Sequence, residues 1–124
     1  MQSIHNQKEF LEIMTNTVKP IMVAFTAKWC GPCIRSEPIL LTYQTQMTDS
    51  LDFYKVDIDE GEEVAIACNV ETLPTYILYK NKLELQRFTG IIDASFEEKI
   101  QEKIEVVTID IPTSSLGEVA NNSY

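Results

Sequence analysis

Two cysteines separated by two residues, in Trp29-Cys30-Gly31-Pro32-Cys33, are the side chains whose type and spacing point most directly to chemistry. A C-x-x-C at a helix start suits redox work. Its first thiol lies near unpaired backbone N–H groups and the positive end of the helix dipole, both of which favour a thiolate. The second thiol, one turn further in, is close enough to attack a mixed disulfide at the first and expel the reduced substrate. Cys30 is therefore expected to be the nucleophile and Cys33 the resolving residue. The competing use of such a pair is half of a zinc site. Four-coordinate zinc needs two further ligands, and beyond hard carboxylates the chain offers only Cys68 and His5, so no metal is expected. Cys68, in Ala67-Cys68-Asn69, reads as a small buried hydrophobe on a short helix, and His5 as a surface residue without a role.

The elements that must position the pair can be traced along the chain. Pro20-Ile21-Met22-Val23-Ala24-Phe25-Thr26 is a continuous apolar run ending just before the motif, as in a central strand buried on both faces. After Cys33, Ile34, Ile39, Leu40, Leu41, Tyr43 and Met47 suit a helix to about Met47, kinked by Pro38. Upstream, Asn6 stands three residues before Glu9 as an N-cap, and Phe10, Leu11 and Met14 share one face of a helix from about Gln7 to Met14, with a strand before it. Downstream, Leu51 to Ile58 alternates as a strand and Glu62 to Cys68 reads as a short helix. Thr75–Lys80 and Leu83–Phe88 are strand-like runs joined by Asn81-Lys82, which predicts an antiparallel hairpin. Ser95-Phe96-Glu97-Glu98 is a capping box opening a last helix, with Phe96, Ile100 and Ile104 on one face and an end near Glu105. This order predicts an α/β fold, a central mixed sheet with helices on both faces. Residues 1–105 form the expected domain. Residues 106–124, β-prone at first and then polar and turn-rich, form a C-terminal extension expected to be largely flexible.

Composition narrows the function classes. With 124 residues and 44% of them hydrophobic, the chain can bury one ordinary core without a metal or structural disulfide. A net charge of −9 disfavours nucleic acid, whose phosphates need clustered Lys and Arg, and favours a soluble monomer. The N-terminal residues lack a basic n-region and an apolar h-region, and no segment approaches the roughly 18 apolar residues of a membrane span, so neither export nor membrane anchoring is expected. Three cysteines, two of them closely spaced, are not the framework of a small secreted protein, which makes a reducing, cytoplasmic compartment the expectation.

The motif Trp-Cys-Gly-Pro-Cys resembles the active site of the thioredoxin family residue for residue, and the similarity extends from about Ser3 to Glu105. Pro38 is similar to the family's helix-kinking proline and Lys55 to a lysine behind the active site. Leu73-Pro74-Thr75 resembles the segment whose proline is cis in the family, and Gly90 a glycine beside the active site. The resemblance implies the thioredoxin fold and a reductase of protein disulfides that is itself re-reduced by an enzyme using NADPH, with no cofactor bound by the chain. It also implies that a substrate peptide pairs with the backbone around Thr72 and Leu73, next to a proline that has no N–H, in an edge-on mode of low sequence demand. Trp29, Pro32, Ile58, Leu73 and Ile91 would form the apolar rim, with Gly31, Pro74 and Gly90 beside them. Cys68 resembles an additional cysteine of animal members that lies outside the active site.

The chain also departs from the family. Where the family usually carries a buried Asp on the central strand, thought to exchange a proton with the second cysteine, this chain has Ala24, which bears on the resolving step. Ile34 replaces the usual Lys after the motif, Lys82 replaces the usual Gly of the hairpin turn, and the chain runs on past the last family helix. These departures leave open a rival of another class, a thioredoxin-like binding or redox-regulatory module with weak reductase activity. Oxidising or isomerising members usually carry a His between their cysteines, so Gly31-Pro32 favours reduction.

Overall fold

The computed structural model describes residues 1–90, 92–93 and 95–110. In chain order the elements are β1 (Gln2–Ser3), α1 (Gln7–Asn16), β2 (Ile21–Thr26), α2 (Gly31–Gln46), β3 (Asp52–Asp57), α3 (Glu62–Ala67), β4 (Thr75–Lys80), β5 (Leu83–Thr89) and α4 (Ser95–Asp110). The strands form one mixed sheet in the order β1-β3-β2-β4-β5. β2 is thus the central strand, parallel to β3 and antiparallel to β4.

Burial on both faces explains the unbroken apolar run of β2. Ile21, Val23 and Phe25 point into a cluster with Phe10 of α1, Val64 and Ala65 of α3, and Ile77 and Tyr79 of β4. Met22 and Ala24 point the other way, to Leu40 of α2, Phe96 and Ile100 of α4, and Tyr76 and Leu78 of β4. The alternation of one strand therefore serves two cores, with α1 and α3 on one side of the sheet and α2 and α4 on the other. Each fully buried Ile, Val or Phe contributes about 1.5–3 kcal/mol relative to exposure, which is what holds the helices to the sheet.

Local signals act much as the sequence predicts. The Asn6 side chain accepts from the Glu9 amide at 2.9 Å. The returning Glu9 carboxylate accepts from the amide of His5, one residue before the cap, at 2.8 Å. Asn81 and Lys82 take φ of 54° and 68°, the pair of positive values a two-residue hairpin turn demands.

Two expectations require correction at the last helix. Ser95 is already the first helical residue rather than the cap, and Asp93, two residues upstream, accepts with Oδ1 from the Ser95 amide at 2.9 Å and from the Ser95 hydroxyl. The Asp93 carboxylate thereby satisfies one first-turn amide, that of Ser95, which has no intrahelical partner. α4 also runs to Asp110 rather than ending near Glu105. The β-branched residues at 106–109 are weak helix formers but not breakers, and the next residue that stops a helix is Pro112. The extension expected from residue 106 onward is therefore helical at its start, and its remainder, 111–124, lies outside the described residues.

Candidate active site

β2, buried as far as Phe25, passes through the half-buried Thr26 into a short connection, Ala27 to Trp29, and then into α2. Cys30 is the N-cap of α2, with extended φ/ψ of −90° and 108°, and its sulfur accepts from the Cys33 amide at 3.3 Å. Gly31 and Pro32 form the first helical positions, where a missing N–H costs nothing because those amides have no intrahelical partner. Cys30 and Cys33 are joined as a disulfide across a Cα–Cα distance of 5.3 Å. Both are largely buried, 6% and 4% exposed, and pack with Ala27 against Ile58 and Leu73.

The expected site residues gather from four parts of the fold. Ile58 follows β3, and its amide is held by the Thr26 carbonyl at 2.9 Å, which fixes the two strand ends side by side. Leu73-Pro74 is a cis peptide, Pro74 is buried, and its carbonyl accepts from the Gly90 amide at 3.0 Å. Gly90 takes φ of 84°, a region that L side chains rarely adopt. No atom stands within 4 Å of a Cβ built there, so conformation rather than space requires glycine. Thr72 is exposed beside the cis peptide, and its carbonyl accepts from the buried Thr75 hydroxyl at 2.7 Å. Trp29 is 67% exposed, with its indole N–H donating to Asp59 at 2.9 Å. Ile91 lies outside the described residues.

Behind the disulfide, Ala24 is 4% exposed and stands in register with Lys55 on β3 and Tyr76 on β4. Lys55 pairs with Glu37 of α2, Nζ to Oε2 3.5 Å. A small cavity of about 20 Å³ is lined by Ala24, Cys33, Glu37, Lys55, Pro74 and Tyr76, among others. Sequence reasoning missed Asp59, Glu37 and Tyr76 as neighbours of the site. Asp59 is 30 residues from Trp29 and carries no local signal, whereas Glu37 stands four residues after Cys33 and so on the same helical face.

Cys68 lies apart, 8% exposed in the core on the α1 and α3 side of the sheet. Its sulfur accepts from the Tyr79 hydroxyl at 3.2 Å, and burial pushes its thiol above the ordinary range. It is the buried small side chain the sequence suggests.

An α/β fold that seats a Cys-x-x-C pair at a helix N-terminus, beside a cis proline and beneath an exposed Trp, defines a thiol-disulfide exchange protein. A thioredoxin family model matches residues 2–106. Thioredoxin of Ictalurus punctatus is 33% identical over 101 residues, 80% of this chain and 94% of that one. The chloroplastic thioredoxin Y of Oryza sativa subsp. japonica is 34% identical over 98 residues, 78% of this chain but 58% of that longer protein. Among solved structures, Plasmodium falciparum thioredoxin superposes with a TM-score of 0.76 at 31% identity, covering 82% of this chain and 98% of that one. The chain belongs to the thioredoxin family, and its active-site cysteine pair makes it a thiol-disulfide oxidoreductase of the protein-disulfide reductase type.

Proposed function

We propose that Cys30 is the nucleophile that opens substrate disulfides and Cys33 the residue that resolves the resulting mixed disulfide. The observation that carries this reading is the position of Cys30 as N-cap of α2, where its sulfur accepts a backbone N–H and faces the positive end of the helix. A thiolate formed there has both interactions, whereas Cys33 is already inside the first turn and less exposed. The half-buried Leu73, packed against the cysteines, the exposed Thr72 before it and the exposed Trp29 offer a shallow strip for an extended substrate segment. Gly31, Pro32, Ile58, Pro74 and Gly90 complete that strip, with Lys55 and Ala24 supporting it from behind.

The oxidised pair then needs two electrons from outside, since the chain's own groups supply none. An NADPH-linked reductase acting on the same disulfide is the partner proposed. A reducing compartment, the cytoplasm, suits a buried, unpaired Cys68. Among the described residues no helix is long and apolar enough to cross a membrane. A monomer completes the proposal.

The test is a pair of trapping variants. Cys33→Ser is expected to accumulate mixed disulfides with protein substrates, since Cys30 still attacks and nothing expels the product, while Cys30→Ser traps almost none. Equal trapping by the two, or faster alkylation of Cys33 than of Cys30 in the reduced protein, reverses the roles.

A further inference from the structure

Expulsion of substrate from Cys30 requires the Cys33 thiol to lose its proton, yet Cys33 is only 4% exposed. The cavity behind it is the route the structure offers. Its volume of about 20 Å³ exceeds the roughly 10–15 Å³ that one water needs. Cys33, Glu37, Lys55 and Tyr76 are all among the residues that line it. Ala24 contributes to this space, because its methyl stands between Lys55 and Tyr76 in the sheet register, where a longer side chain would fill it.

We propose that Glu37 takes the proton of the Cys33 thiol through one water held in this cavity, with Lys55 positioning the carboxylate. Cys33 and Glu37 are at i and i+4 on α2 and so share a face. The Lys55 ammonium stands 3.5 Å from Oε2, and both residues line the cavity. Both partners are more than a third exposed, so the pair adds little stability, and its consequence is orientation. Partial exposure of Glu37 also lets the proton pass on to solvent.

The step balances. The Cys33 proton passes to the water as that water gives one to the Glu37 carboxylate. The Cys33 sulfur bonds to the Cys30 sulfur, and the bond from Cys30 to the substrate sulfur breaks. The substrate leaves as a thiolate, having received the two electrons of the dithiol, and is protonated from solvent.

The ionisable residues lining the cavity are Cys33 and Glu37 from α2, Lys55 from β3 and Tyr76 from β4, and Met1, which bears the amino terminus, lines it as well. Burial pushes the Tyr76 phenol up, so it stays protonated near neutrality and takes no proton from Cys33. A lysine ammonium donates hydrogen bonds and accepts none, so Lys55 is no proton acceptor.

The assignment rests on Cys33 being the resolving cysteine, and the experiment separates the two. Stopped-flow release of a disulfide peptide from the full chain is followed across neutral and mildly alkaline pH for the wild type, Glu37→Gln, Glu37→Asp and Glu37→Gln/Lys55→Met. Alkylation of Cys30 is measured in parallel. Glu37→Gln is expected to slow release by about tenfold near neutral pH, a modest share of what a positioned base contributes because the transfer runs through water. The loss should shrink as pH rises into the ordinary thiol range, where Cys33 ionises unaided. Glu37→Asp should keep most of the rate. The double variant, which leaves the local net charge unchanged, should be as slow as Glu37→Gln. Cys30 alkylation should not change. Wild-type release in Glu37→Gln, or a loss that is equal at every pH, overturns the proposal. If Cys33→Ser fails to trap substrate, the resolving role of Cys33 falls instead.

Discussion

At the scale of single residues, Ala24 sets the chemistry of the site by what it lacks. It lines one cavity with Cys33, and an ionised carboxylate at this position would have to be desolvated, with Lys55 in register on the neighbouring strand as a cation. Ala24→Asp is expected to lower folding stability by about 2 kcal/mol or more. Release of mixed disulfide should become faster, because a second acceptor then faces Cys33. The gain should be larger in a Glu37→Gln background than in the wild type. Denaturant unfolding beside stopped-flow release measures both quantities. A destabilised variant whose release is unchanged in both backgrounds would show that a carboxylate here gives Cys33 no proton route.

At the scale of elements, the hairpin between β4 and β5 shows a local compromise. Its turn requires positive φ at Asn81 and Lys82. Asn tolerates that region, but Lys places a Cβ against backbone there. Lys82→Gly is expected to raise the unfolding free energy by about 0.5–1 kcal/mol, the relief of a strained turn offset by the larger entropy of glycine in the unfolded chain. Thermal or denaturant midpoints of the two forms decide it, and a drop in stability would mean that the Lys82 side chain contributes more than its backbone costs. The hairpin itself was legible because Asn81-Lys82 separates two β-prone runs, and the start of α1 because Asn6 and Glu9 have cap spacing. The ends of α4 were less legible. Its first amide is held by a carboxylate two residues before Ser95, and its C-terminal turns are carried by β-branched residues whose local preference a continuing helix overrides.

For the whole molecule, burial of titratable groups on both sides of the sheet ties stability to alkaline pH. Cys68 and Tyr79 lie in one core and Tyr76 in the other, and burial raises all three above their ordinary values. A group raised on folding holds more protons in the native than in the unfolded state. Stability is then fully present below the unfolded-state value and falls as pH climbs past it. The fall should begin near pH 9, where an unfolded thiol ionises, and steepen near pH 10 as unfolded tyrosines do. Unfolding midpoints measured from neutral pH upward check this, and Cys68→Ala should flatten the first part of the slope. A flat profile through that range contradicts the burial of these groups.

The chemistry of the pair, the α/β class and the central place of β2 were readable from short stretches of chain, because each rests on a local pattern. These are C-x-x-C spacing, strand and helix periodicity, and an apolar run with no polar face. Folding was needed to bring Asp59 to Trp29, Ile58 and Leu73 against the two cysteines, Gly90 to Pro74, and Glu37, Lys55 and Tyr76 around the space left by Ala24. Those neighbours come from different elements, and their approach depends on strand order and register, which no local pattern encodes. Glu37 shows the division within one residue. Its place on the Cys33 face follows from helical spacing, but its partner Lys55 and the cavity they share exist only once α2 packs on the sheet.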